Sequence, residues 1–267
     1  MSTTSAAPLV RAEFKKISST RLWWGLLIGA VVFSMIQAAV NAAFAGVDPG
    51  AGQPATPGLD TPEAIRSVYA MSMFGGTYIF ALILGITGMT GEYRYQTITS
   101  TFLVSPRRSR VVVAKMLAHL VMGAFFGVVA LAGTVLAGAV VIGVRGADLG
   151  FGAERLWPTM GLAVLAVAIW TLVGIGIGTL IRNQIVAILL AVFVTFLIEP
   201  ILTFALAAID LDWLVKWLPT NASSALMAPG NTLLDYLDWW VGGLVLLGYG
   251  LLLAGLGIAL SVRRDVS

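Results

Sequence analysis

QIVAILLAVFVTFLIEPILTFALAA, residues 184–208, carries a single charged side chain, Glu199. A hydrocarbon layer about 30 Å thick is crossed by about 20 consecutive apolar residues in a helix, and this run is longer than that. Working outward, five more runs have the same character: 22–45, 71–91, 116–144, 158–181 and 241–262. The connections between them are rich in Gly, Pro and charge, as in GVDPGAGQPATPGLDTPE at 46–63. These runs predict an all-α membrane protein of six transmembrane helices, one transmembrane domain over 1–267.

Composition supports that class. Apolar residues make up 58% and charged residues 11%, with a mean hydropathy of +0.93. A soluble domain carries about 45–50% and about 25% respectively. An ordinary globular enzyme, a disordered tail and a nucleic-acid binder are excluded. There is no Cys, hence no disulfide, thiolate metal site or Cys nucleophile. The abundance of Arg over Lys, with much Ala and Gly, points to a GC-rich bacterial genome and so to a bacterial plasma (inner) membrane.

Orientation follows from the loop cations. Arg11, Lys15, Lys16, Arg21, Arg94, Arg107, Arg108, Arg110, Lys115, Arg182, Arg263 and Arg264 fall on one side. Only Arg66, Arg145, Arg155 and Lys216 fall on the other, with most of the acids. Both termini are expected in the cytoplasm, which an even number of spans permits. Ala43-Phe44-Ala45 mimics a signal cleavage site, but the preceding apolar run is too long for an h-region, so an uncleaved first span is expected. Seven of the eight Trp lie at or beyond span ends, where an interfacial belt belongs, and only Trp170 lies inside a span.

Residues 8–21 place Val10, Phe14 and Ile17 on one helical face and Arg11, Lys15 and Lys16 on another. That pattern predicts an amphipathic N-terminal helix lying in the membrane interface. The loop GEYRYQTITSTFLVSPRRSRVVVAK, 91–115, is too polar to cross. Tyr95, Ile98 and Phe102 recur at i, i+3 and i+7, a stripe suited to a partner's groove, and Pro106 closes the segment. The alternative is a solvated basic loop.

Glu92 after the second span, followed by Thr97, Pro106, Arg110 and Lys115, resembles the pattern of ABC-2 type transporter permeases. The likeness extends to the N-terminal helix, the six spans and the long outer segment 209–240. It implies a coupling helix over 92–103, within the coupling loop 92–110, with Glu92 and Arg94 at its entrance and Tyr95, Thr97, Ile98 and Phe102 toward an ATPase. It also implies two copies of an ATP-binding subunit and a second permease subunit, an identical chain being the simpler expectation. The chain has no G-x-x-x-x-G-K-[ST], so ATP and Mg belong to the partner and no cofactor to this chain.

Glu199 is the only carboxylate inside a span, and such groups are costly enough to be functional candidates. With Pro200 it is a candidate for the translocation path. The preferred reading is structural: the fifth helix breaks here, and the stretch to residue 240 folds back into the outer leaflet. His119, the only His, makes no metal site or Ser-His set with its neighbours. Gly123-x-x-x-Gly127 and Gly174, Gly176 and Gly178 permit close helix approach without identifying partners. The expected function is the membrane subunit of an ATP-driven exporter for a hydrophobic or amphiphilic substrate. The alternatives are a secondary transporter with Glu199 as ion or proton site and, more weakly, an intramembrane enzyme.

Overall fold

In an apolar phase every backbone N–H and C=O must find its partner within the protein, which favours helices. The structure, a computed structural model, describes residues 6–48, 56–96, 108–227 and 237–264, and among these every regular element is helical. In order they are α1 (Ala6–Ser19), α2 (Leu22–Phe44), α3 (Pro62–Arg66), α4 (Ser72–Arg94), α5 (Arg108–Val144) and α6 (Leu156–Leu180). Then come α7 (Gln184–Phe193), α8 (Glu199–Ala207), α9 (Asp212–Val215), α10 (Pro219–Met227) and α11 (Trp239–Arg264). Single π turns, Ser67–Met71 and Val194–Ile198, join α3 to α4 and α7 to α8. Six stretches are long and apolar enough to cross a membrane: Leu22–Phe44, Pro62–Arg94, Arg110–Val144, Leu156–Leu180, Gln184–Ala207 and Trp239–Leu260.

Two starts differ from the expected boundaries. The second span begins at Pro62 rather than 71, because the Thr61 hydroxyl caps the Ala64 N–H and Pro62 occupies the first turn without needing a donor. The third is helical from Arg108, inside what the sequence reads as loop, so Lys115 belongs to a helix already under way. At the far end of that helix Arg145 donates to the Ala42 and Ala45 carbonyls at 2.7 and 2.9 Å. The free carbonyls at the last turn of α2 thereby gain a side-chain donor.

The core lies along α4 and α6. In the most apolar window of the second and fourth spans 72% of residues are buried, against 22% in the first, fifth and sixth. Glycine explains why α6 can be the hub. A Cβ on Gly174 would collide with the Leu82 carbonyl, and one on Gly85 with the Thr171 carbonyl, so α4 and α6 touch backbone to backbone. Gly178 faces Ile86 on the same side, while Gly176 faces Gly250 and Leu253 of α11. Gly123 and Gly127 seat α5 against Ala168 and Val164 of α6. The glycine pattern visible in sequence thus serves three different crossings.

The expected break at Glu199-Pro200 is not observed. Helical dihedrals run from Gln184 to Ala207, and the Glu199 N–H bonds the Val194 carbonyl five residues back. That π turn widens the backbone just where the proline ring would meet the carbonyl four residues earlier, so the helix passes Pro200 intact. The return occurs later. The Tyr249 hydroxyl donates to the Trp217 carbonyl at 3.1 Å, about 15 Å along α11 from Trp239. Ala222 and Ala225 pack on Gly242, near the start of the same helix. α10 therefore begins deep in the bundle and climbs back toward that end.

Replacing Gly174 by Val would force α4 and α6 apart. Overpacking costs about 1–3 kcal/mol, and here the colliding atoms are backbone, which cannot rotate away. A clear loss of thermal stability in detergent is expected for Gly174→Val, with none for Gly161→Ala or Gly248→Ala, whose added Cβ atoms meet nothing.

Candidate functional site

At the end of the bundle that carries α1, four charged side chains from three helices meet. α1 packs on the start of α5 through Ile17, with Val10 and Phe14 half-buried beside it, as the amphipathic pattern requires. Glu13 lies in the middle of that buried face, 4% exposed, which the pattern did not suggest. Its two oxygens accept from Lys115 (Oε2, 2.5 Å) and Lys16 (Oε1, 2.7 Å). Glu92 Oε1, at the end of α4, accepts from the same pair, Lys16 at 2.7 Å and Lys115 at 3.0 Å. Lys115 is 1% exposed; Lys16 alone reaches solvent.

A buried charge is tolerated only when paired and hydrogen-bonded. Here two carboxylates and two ammoniums neutralise one another, which makes α1 a fastened element. Burial on its own would raise the Glu13 carboxyl, but the Lys115 and Lys16 ammoniums outweigh it and hold the group below its ordinary 4.5. Burial likewise works against the Lys16 ammonium, and its bonds to Glu13 and Glu92 leave it above its ordinary 10.5. The Glu13 contribution to stability is complete above 4.5 and is lost as pH falls through the lowered value. The Lys16 contribution is complete below 10.5 and is lost as pH rises through the raised one. Across the neutral range α1 stays fastened.

His119 stands one turn beyond Lys115. Its Nδ1–H donates to the Lys115 carbonyl at 2.9 Å, the Thr171 hydroxyl bonds its carbonyl, and Nε2 is buried without a hydrogen-bond partner beside Gly88. Below α1 these residues line a cavity of about 360 Å³, with Ile17, Leu22, Trp23 and Leu84 on its apolar walls.

The expected coupling residues divide. Glu92 and Arg94 form the last turn of α4, Arg94 donating to Gln184 Oε1 at 3.3 Å, and Tyr95 is 68% exposed in the turn that follows. Gln96 has φ 56°, a left-handed conformation that no continuous helix contains. α4 therefore ends before Gln96, and the rest of the expected coupling helix, 97–103, lies outside the described residues. Thr97, Ile98 and Phe102 lie outside the described residues, as do Pro106 and Arg107.

Glu199 occupies a second polar site, at the deep end of α10. The N-cap residue there, Leu218, has no acceptor side chain, and Pro219 has no N–H. The first free donor is Thr220 N–H, and Glu199 Oε1 accepts it at 2.5 Å. The carboxylate supplies both the missing cap and the negative charge that a helix N-terminus favours. One turn further, the Trp170 indole donates to the Ser223 hydroxyl at 2.9 Å, tying α10 to the middle of α6. Pro200 sits one residue after Glu199 in the first turn of α8, next to the π turn.

Sequence reasoning named Glu92 and Lys115 but missed Glu13 as their partner. The available signal was a carboxylate at i+3 from Val10, between the apolar positions of α1. Among the described residues no group of three His, Asp or Glu is placed to hold a metal ion.

Residues 9–198 match the family described as ABC-2 family transporter protein, and the chain belongs to that family. No curated protein matches it. It is a membrane transport component and a multi-pass permease of the ABC transporter class.

Lys115→Met should loosen α1 by leaving two carboxylates without their buried cation, a loss of about 3–5 kcal/mol for a broken buried pair. Adding Glu13→Gln should restore part of it. Spin-label mobility at the exposed Ser18 position reads both effects, and without either substitution the same label should stay ordered across the neutral range and become mobile on acidification below 4.5 or at pH above 10.5.

At the second site, Glu199→Gln keeps an acceptor for Thr220 N–H and should change stability little. Glu199→Leu leaves that donor unsatisfied, at about 1–3 kcal/mol. Thermal unfolding of the two variants should separate accordingly; equal, large losses would show that charge and not the cap matters.

Proposed function

We propose that this chain is the membrane subunit of an exporter powered by a separate ATP-binding subunit, present in two copies, with ATP and Mg held there. In this reading the end carrying α1 faces the cytoplasm of a bacterial cell. A second copy of the chain completes the path, and the cargo is a hydrophobic or amphiphilic compound. Family membership and the split of loop cations support it.

The observation that carries the mechanism is the Glu13–Lys115–Glu92–Lys16 cluster. An ATPase that moves a cytoplasmic segment does useful work on the spans only if the root of that segment is rigid. Glu92 sits at that root, five residues before 97, and the two lysines bind it to α5 and α1 together. A push delivered after Gln96 then moves α4, α5 and α1 as one body. The docking segment begins after the left-handed turn at Gln96, with Ile98 and Phe102 as its apolar contacts. Glu199, committed to the α10 cap, serves the outer half of the fold, which favours this reading over a secondary transporter coupled through that carboxylate.

Each apolar side chain seated in a partner's groove contributes about 1.5–3 kcal/mol before ordering costs. Changing Ile98 and Phe102 together to Asp should therefore release the ATPase on co-purification, while the chain still inserts with its spans. A complex that stays intact and fully active with both carboxylates in place would overturn the coupling role.

A further inference from the structure

The four-charge cluster leaves one valence open. Lys16 Nζ gives two of its three N–H bonds to Glu13 and Glu92, and its side chain is 43% exposed at the rim of the cavity beneath α1. Arg11, Lys15 and Arg21 are exposed within a few residues of Lys16 along the chain, so this segment is basic although the cluster itself is neutral. The cavity runs inward along Ile17, Leu22, Trp23 and Leu84, toward the unpartnered Nε2 of His119. Leu22, at its edge, is 44% exposed on the apolar outer surface of α2, so the opening is continuous with the lipid-facing side of the bundle.

We propose that this cavity holds one anionic phospholipid from the adjoining leaflet, its phosphate on Lys16 and an acyl chain along Trp23 and Leu84. A headgroup phosphate would take the third Lys16 N–H without displacing either carboxylate. The neighbouring cations complement its charge, and the apolar walls accept hydrocarbon that a soluble phosphate ester does not carry. An occupant here would brace α1 against α4 from below, so the lipid would act on the same joint as the ion cluster. The inference needs only that the chain spans a membrane and is independent of the ATPase.

Trp23 lies in the wall and its neighbour Trp24 on the outside, 47% exposed, which makes a paired probe. The full chain in detergent micelles is titrated with phosphatidylglycerol or phosphatidylcholine brominated on the acyl chain. The quenching lost in Trp23→Phe reports the cavity, and that lost in Trp24→Phe reports general lipid contact. Saturable Trp23 quenching by the anionic lipid at lower concentration than by the zwitterionic one is expected, with no such preference at Trp24. Lys16→Gln should weaken the anionic lipid about fivefold, as one basic residue at an anionic surface contributes.

Because Lys16→Gln also touches the cluster, a second variant leaves every charge in place. Gly91 lines the cavity and a Cβ there meets nothing, so Gly91→Leu takes up part of the space and should sharply reduce Trp23 quenching while helix content is kept. Equal response to both lipids, or Trp23 quenching undiminished in Gly91→Leu, would overturn the proposal. Displacement of the lipid by millimolar glycerol phosphate would overturn its lipid source and mark a soluble phosphate ester as the ligand.

Discussion

Backbone contact between α4 and α6 is the constraint on which the other packing rests. In lipid there is no hydrophobic gain from bringing two apolar helices together, so close van der Waals approach must supply it. Gly85 against Thr171 and Gly174 against Leu82 allow that approach, and no side chain larger than hydrogen fits at either position. Once α4 and α6 are in register, α5 meets α6 through Gly123 and Gly127, and α11 meets it through Gly176. The first, fifth and sixth spans stay mostly outside and present Ile, Leu, Val and Phe to their surroundings.

Register in the hub has consequences at both ends. At one, it brings Glu92 of α4 level with Lys115 of α5, and the pair becomes a socket for Glu13 and Lys16 of α1. At the other, it leaves room beside Trp170 for α10, whose deep N-terminus needs an acceptor that its own sequence does not provide. Each end therefore solves the same problem, a polar group carried into apolar surroundings, with a partner from another helix. Mutual neutralisation serves at the α1 end and capping of a helix N-terminus serves at the α10 end.

The spans were legible because they depend on local composition alone. A run such as 184–208 crosses whatever its neighbours are, and even its single carboxylate and proline did not break the helix, since one π turn absorbed Pro200. Boundaries were less legible where capping decided them, as at Thr61-Pro62. The helical spacing of Tyr95, Ile98 and Phe102 gave no sign that Gln96 takes a left-handed conformation, a backbone choice that side-chain periodicity does not register.

By itself the sequence determined that the chain lives in a membrane, how many helices are long and apolar enough to cross, and which loops are basic. These follow from the free energy of transferring short segments between water and hydrocarbon, a quantity each segment carries with it. Only the tertiary structure decided which charges meet. Glu13 and Lys115 are 102 residues apart, Lys16 and Glu92 76, and Glu92 and Lys115 23, and their bonds exist because glycine contacts elsewhere set the depth of each helix. The same holds for Glu199. Its isolation in an apolar run marked it as unusual, but the N–H that it satisfies belongs to a helix that returns into the bundle only after the fifth span has ended.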